Sequence, residues 1–556
     1  MISSVVLKFG RITDADAEVI NTTPVTVFVG PNNSGKSQVL REIHRYCSSG
    51  QPDAGDVIIQ RIQFQAFTPE RATDRVERVT LPRRPGEALN PDHVIIGKRG
   101  SRNQVPRDRL LAALQDPNGQ ARHFCPWYLS FNTMMLDGKS RIDLVNQQQA
   151  GDLQHEPQSS FQVLFRDNHR RGEVRRIIND AFKLFFAIDP THLGHLRLRL
   201  ASRAPHSELE ERGIHDEAVQ FHAAALPIEQ ASDGVKAFVG MITEIIAGDP
   251  HVLLIDEPEA FLHPALSFNL GKEIALASLG SEKRLFVSTH SPTFVMGCIQ
   301  SGAPINIVRL TYRRGVATAR LLPGAEILRL MRNPLLRSTG VLSGLFYEFV
   351  VVTESDTDRA FYQEVNERLL RYAPDRGIPN CLFLNAQNKQ TVRTIIRPLR
   401  ELGIPAAGIV DIDVLKEGGR TWTDFLASGF VPDLEREALA TLRARIKERF
   451  DATSRDMKRE GGIELLGDEH REAANNLFDR LQQYGLFVVR RGELEAWLEE
   501  LGATGHGPSW LVDVFQRMGE DPESPNFVRP TEGDVWEFVG SLKTWLEAPA
   551  RRGIPS

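Results

Sequence analysis

The chain of 556 residues is 41% hydrophobic and 25% charged, with a formal net charge of −5 and a pI near 6.3. That length exceeds what one hydrophobic core organises and predicts about three domains, while the composition excludes a chain dominated by disorder. No global basic field exists, so any nucleic-acid contact has to come from local patches.

The opening stretch MISSVVLKFGRITDADAEV lacks the charged start and apolar core of a signal peptide, and no later segment supplies about 18 uninterrupted apolar residues. An unexported protein without a membrane span is expected. The four cysteines, Cys47, Cys125, Cys298 and Cys381, form neither a CxxC pair nor a zinc spacing, which suits a reducing cytoplasm.

In chain order, the apolar run Val25 to Val29 predicts a strand, then a glycine-rich loop, then a helix over Gln38 to Tyr46. The loop reads GPNNSGKS over residues 30–37 and fits the GxxxxGK[ST] pattern in the strand–loop–helix context which that pattern requires. Gly30 and Gly35 let the backbone curl through Asn32, Asn33 and Ser34, so that successive N–H groups and the helix dipole surround phosphates. Lys36 adds a point charge for the β and γ oxygens, and Ser37 is a candidate ligand of Mg²⁺. Residues 50–226 read as an insertion with basic pieces at 98–109 and 166–176, carrying helices and partner contacts.

Further on, ASDGVKAF places Ser232 and Gly234 just before a helix, where a hydroxyl and free N–H groups could meet a phosphate. VLLIDEPEAFLHP then puts Asp256 at the tip of a fully apolar, and hence central, strand, with Glu257 next to it. Asp256 suits a magnesium water shell, and Glu257 suits orienting or deprotonating an attacking water. His290, directly after the apolar strand of RLFVSTHSP, can hydrogen-bond a γ-phosphate. Taken in order, these segments resemble the ABC-type ATPase heads of the SMC, RecF and overcoming-lysogenisation-defect families over roughly residues 1–335. The resemblance implies ATP as ligand, a homodimer or higher oligomer joined through the heads, and a site in which Ser232 and Gly234 of one copy complete the nucleotide pocket of another. Gln65 in IQFQAF is the candidate Q-loop glutamine. The SDG signature and the lack of long heptad arms depart from transporters and SMC proteins.

The α/β pattern fades near residues 335–340, and the domains are read as 1–338 and 339–556. A second α/β alternation begins with EFVVVTES: helix Asp358 to Arg371, strand Cys381 to Leu384, helix Thr391 to Leu402, strand Ala407 to Val410. Residues 435–460 suggest an exposed charged helix. Glu354, Asp358, Asp411 and Asp413 all fall at or just past predicted strand ends. If the strand continues through Ile412, Asp411 and Asp413 share a face. Carboxylates gathered this way repel one another unless a divalent cation such as Mg²⁺ or Mn²⁺ joins them, and such a site can serve phosphodiester cleavage.

Glutamate after a first strand and DxD after a later one resemble the TOPRIM domain over about Phe349 to Trp497, although Ser355 stands where that family has glycine. The resemblance adds Glu493 or Glu495 of VVRRGELEAWL to the metal shell and asks for a lysine, for which Lys543 and Lys389 are candidates. An ABC-type head followed by TOPRIM is the layout of the overcoming-lysogenisation-defect nucleases. It implies an ATP-regulated nuclease acting on DNA in bacterial anti-phage defence, with a phage trigger or protein effector as further partner. Two alternatives stay open: an ATPase scaffold whose second domain cuts nothing, and a recombination-repair clamp on DNA ends.

Overall fold

In the computed structural model, which describes residues 1–12, 15–97, 102–338 and 340–555, the chain divides into two units, Met1–Leu328 and Arg329–Ser556. The division falls ten residues ahead of the boundary read from the sequence at Ser338. Of the basic stretch 98–109, residues 98–101 lie outside the described part.

The first unit opens with an antiparallel trio in which β1 (Ile2–Leu7) lies between β2 (Val19–Asn21) and β4 (Ile59–Phe64). Its main sheet contains β3 (Val25–Val29), β5 (Thr133–Leu136), β6 (Val252–Asp256), β7 (Arg284–Ser288), β8 (Ile305–Arg313) and β9 (Val316–Pro323), in the order β9-β8-β3-β7-β6-β5. Only the edge strand β9 runs antiparallel. Every residue of β3 is buried, as expected for a strand paired on both sides in a parallel sheet covered on both faces. Helix α1 (Lys36–Ser49) follows the β3 loop and packs on that sheet through Val39, Leu40 and Ile43.

The register aligns the chemistry. Asp256 lies opposite Ser288 and Ser288 opposite Phe28, so the C-terminal tips of β6, β7 and β3 end together, where ligands of open α/β sheets bind. Helix α2 (Asp233–Ala247) starts at the Ser232 cap. The long insertion is more ordered than its composition suggests. It contributes β5 and a small antiparallel sheet of Phe185–Asp189, His195–Ala201 and short partners, sealed by Ala187, Ala201, Phe221 and Ala225. The basic residues within 166–176 are largely used internally: Arg171 and Arg175 pair with Glu211, and Arg176 pairs with Glu273.

The second unit holds four parallel strands: β10 (Phe349–Thr353), β11 (Cys381–Asn385), β12 (Ala406–Asp411) and β13 (Leu486–Val489), in the order β11-β10-β12-β13. Helix α3 (Asp356–Tyr372) follows β10, α4 (Lys389–Glu401) joins β11 to β12, and the charged helix α5 (Asp433–Ala452) lies between β12 and β13. The chain leaves β10 to one side for β11 and then returns to its other side for β12. The switch point therefore lies between β10 and β12, which locates the crevice for a ligand. A core rich in aromatics, with Phe361, Tyr362, Trp510 and Trp536, holds one face of this sheet.

Candidate functional site

At the tip of β3 the loop closes tightly. Gly30 has φ +149° and a side chain there would stand 2.1 Å from the Leu310 carbonyl oxygen, while Gly35, at φ +93°, caps α1. The Lys36 ammonium is buried and donates to the carbonyls of Gly30 at 2.9 Å and Pro31 at 2.7 Å. Burial pushes it down to about 8 against the opposing pull of Glu257, Asp256 and Glu259. The Ser34 hydroxyl oxygen is buried with no hydrogen-bond partner among the described residues. A cation curled on its own loop beside an unsatisfied hydroxyl is a donor set that fits phosphate oxygens.

Asp256 joins the other two strand tips. Its Oδ1 accepts from Ser37 Oγ at 2.9 Å and also from Ser288 Oγ. That serine–aspartate pair fits a hydrated Mg²⁺. Glu257 does not continue the strand: its φ is +52°, which turns the chain at the tip. Its Oε1 lies 3.4 Å from His290 Nε2, and both side chains are partly exposed. Burial, reinforced by Lys36, lowers the His290 pKa and so favours the neutral imidazole.

Arg141, which the sequence reading missed, belongs here. It enters from the short helix Gly138–Asp143 after β5, is 1% exposed, and donates to the carbonyls of Asp256, at 2.7 Å, and of Glu257. No local pattern marks it, because β5 lies inside the insertion and is recognised only by its pairing with β6. Ser232 is exposed at the start of α2, and a side chain on Gly234 would meet the Phe261 carbonyl oxygen at 2.5 Å. The signature helix thus packs closely on the turn after Asp256 in its own chain.

Gln65 is a correction. It follows β4, which runs antiparallel to β1, and lines a cavity of about 140 Å³ with Met1, Phe67 and Arg284. Arg284 begins β7, whereas Ser288 at the other end of that strand faces Asp256. Gln65 therefore sits at the opposite end of the sheet from the phosphate loop.

In the second unit, carboxylate oxygens of Glu354, Asp411 and Asp413 lie within 4.8 Å of one another. Glu354 follows β10, and its Oε1 accepts the Asp411 N–H at 2.9 Å, which ties the two sides of the switch point together. The reason for the convergence of Asp411 and Asp413 differs from strand alternation, since Ile412–Lys416 forms a 3-10 turn directly after β12. Asp358 is partly committed elsewhere. Its carboxylate accepts the Ser355 N–H at 2.8 Å while the Ser355 hydroxyl accepts the Asp358 N–H, the capping box that starts α3.

Charge crowding is evident. Burial and then Asp411 push Glu354 up to about 8 and Asp358 up to about 6. Burial also raises Asp411 despite Lys458, and raises Glu493 with help from Glu495. Glu493, Glu495 and His506 form a neighbouring trio with ligand atoms within 4.8 Å. Among the described residues Asp413 Oδ1 is buried without a hydrogen-bond partner and Glu493 Oε2 has only the Lys458 ammonium at 3.5 Å, an arrangement that fits hard divalent cations.

The lysine is a further correction. Lys543 donates to the carbonyls of Pro374 and Asp375 at 2.9 and 2.8 Å, so its ammonium is engaged in closing a turn. Lys389 reaches Asp413 at 3.0 Å. Lys458, absent from the sequence reading, lies 2.8 Å from Asp411 and 3.5 Å from Glu493. Burial opposes its charge, but Asp411, Asp413 and Glu493 together overturn that and raise its pKa.

A family model described as "AAA domain, putative AbiEii toxin, Type IV TA system" matches residues 151–296, a stretch that holds Ser232, Asp256, Glu257 and His290. No curated protein matches the chain. Among solved structures, the chain is similar to an SMC head bound to the C-winged helix domain of ScpA, with 14% identity, TM-score 0.32, and coverage of 59% of this chain and 99% of that one. It is also similar to the SMC head domain from Thermotoga maritima, with 14% identity, TM-score 0.28, and coverage of 58% and 98%. No helix among the described residues is long and apolar enough to cross a membrane. The family match places an AAA-type ATPase segment over residues 151–296, and Lys36, Ser37 and Asp256 meet at the strand tips in an arrangement that fits a P-loop nucleotide site.

Proposed function

We propose that the first unit binds and hydrolyses ATP with Mg²⁺, as half of a composite site that a second copy completes through Ser232 and Gly234. We further propose that the second unit is a metal-dependent nuclease acting on DNA, in bacterial anti-phage defence. The observation that carries the ATPase reading is the meeting of Lys36, Ser37 and Asp256 at one strand tip. In it, Lys36 and the loop amides bind phosphates, Ser37 and Asp256 hold the magnesium, Glu257 orients the attacking water, and His290 sits next to Glu257 on the γ-phosphate side.

The nuclease reading is supported by the Glu354, Asp411 and Asp413 cluster at the switch point, with the Glu493, Glu495 and His506 trio as a second donor group. Mg²⁺ or Mn²⁺ held there would supply an activated water and charge for an attacked phosphodiester. Lys458 and Lys389 supply further positive charge on either side of the acidic pair.

Expected outcomes separate the two activities. Lys36→Ala abolishes ATP turnover. Asp411→Ala spares ATP turnover and abolishes cleavage; an Asp411→Ala protein that still cuts DNA removes the nuclease reading. A second reading, an ATPase scaffold or sensor for a protein effector, draws support from Ser355 and from the ion pairs that already occupy Asp411 and Asp413. Intact ATP turnover with no cleavage under Mg²⁺ or Mn²⁺ selects it.

A further inference from the structure

Glu259 has no part in the scheme above, yet it lies among the groups of the nucleotide site. It sits in the turn after β6, which is left-handed at Glu257, φ +52°, and at Phe261, φ +69°. Its Oε1 accepts the backbone N–H of His290 at 2.7 Å, and a side-chain hydrogen bond with Thr289 adds a second tie to the same loop. Its charge is felt by both Lys36 and Arg141. Burial pushes its carboxyl up, and the His290 N–H partly offsets this.

A third acid beside Asp256 and Glu257 adds negative charge where a polyphosphate is to bind, which opposes binding. Its charge offsets that of the buried Arg141 guanidinium, and its hydrogen bond to His290 supplies a geometric role besides. Two loops must be held in register for Glu257 and His290 to face each other at 3.4 Å. The Glu257 N–H to Ser288 carbonyl bond, at 2.9 Å, fixes their start, and Glu259 fixes the histidine itself.

We propose that Glu259 is a positioning residue for His290, a side-chain strap between the turn that carries Glu257 and the loop that carries the histidine. The assignment rests on the ATPase reading and deepens it. Gln at this position keeps an acceptor for the same N–H; Ala and Met do not, and Met fills the space should Ala fail to fold.

The test is a double-mutant cycle on the full chain, with turnover, fluorescent-ATP affinity and hydrogen exchange of the peptide containing His290 as readouts. Glu259→Ala and Glu259→Met are expected to lower kcat about tenfold or more with ATP affinity within about threefold, and to speed exchange at His290. Glu259→Gln restores most of the rate. Placed on His290→Ala, the Glu259 variants add less than about a twofold loss, because the strap acts through the histidine. Multiplicative losses in the double variants, or wild-type turnover in Glu259→Met, overturn the assignment and leave the ATPase reading standing. A wild-type protein with no turnover overturns that reading first and carries this assignment with it.

Discussion

At the scale of single residues, Lys36 shows how burial and function meet. Its ammonium is held by two carbonyls at a pKa of about 8, and phosphate oxygens favour the charged form. Binding must then raise the pKa, so the protein takes up protons wherever the free lysine is partly neutral. Calorimetry in buffers of different ionisation enthalpy is expected to show uptake of a substantial fraction of a proton at about pH 8.5 and almost none at about pH 6.5. Lys36→Met should erase the difference. Glu354 gives the opposite sign. With Glu354 raised to about 8 and Asp358 to about 6, a cation competes with protons, so Mn²⁺ affinity should climb from about pH 6 to pH 8.5 with proton release. Affinity that is flat across that range, followed by titration, would remove the acidic cluster as a cation site.

Legibility in the sequence followed locality. The loop residues 30–37 and the strand ending in Asp256 are contiguous, each demanded by a backbone geometry, and so were readable. Gln65 was misread because a glutamine after a strand carries no spacing constraint, and nothing local said that β4 runs the other way. Lys458 was missed because it comes from the excursion after α5 and reaches Asp411 only through tertiary packing. Asp411 and Asp413 were found through a strand argument, although a 3-10 turn makes the convergence.

At the scale of elements, the parallel strands set the stage, since register alone brings Phe28, Ser288 and Asp256 to one edge. The sequence showed β3, β6 and β7 as apolar runs but not β5, whose TMML carries no turn signals distinguishing it from the insertion around it. The loop after β3 also depends on its neighbour β8. A Gly30→Ala side chain meets the Leu310 carbonyl oxygen at 2.1 Å in a backbone conformation that suits glycine. That variant should lose on the order of 2–4 kcal/mol from the first unit. Its first unit should melt earlier in a thermal scan, with the second unit's transition unmoved; an unchanged profile would show the loop to be more yielding than its contacts indicate.

At the scale of the whole molecule, the two proposed chemistries belong to separate sheets, one in each unit. Ser232 caps α2, and among the described residues no hydrogen bond or ion pair joins it to the Lys36 loop of its own chain. Pairing of heads around ATP is the expected completion. Glu257→Gln, which retains binding but slows turnover, should give light-scattering mass near twice the 62.3 kDa protomer with ATP and near one protomer without. The same mass under both conditions would set the composite-site reading aside.

The curled ammonium of Lys36 carries one more implication. Two peptide oxygens already stand in for water around it, so an incoming anion displaces protein ligands and finds little solvent to release. A lone orthophosphate offers poor recompense for that exchange, whereas a chain of phosphoryl groups can substitute for both oxygens and reach Ser34 as well. At the proposed nucleotide site, the resting posture of the lysine would therefore favour long phosphate tails over a single phosphate.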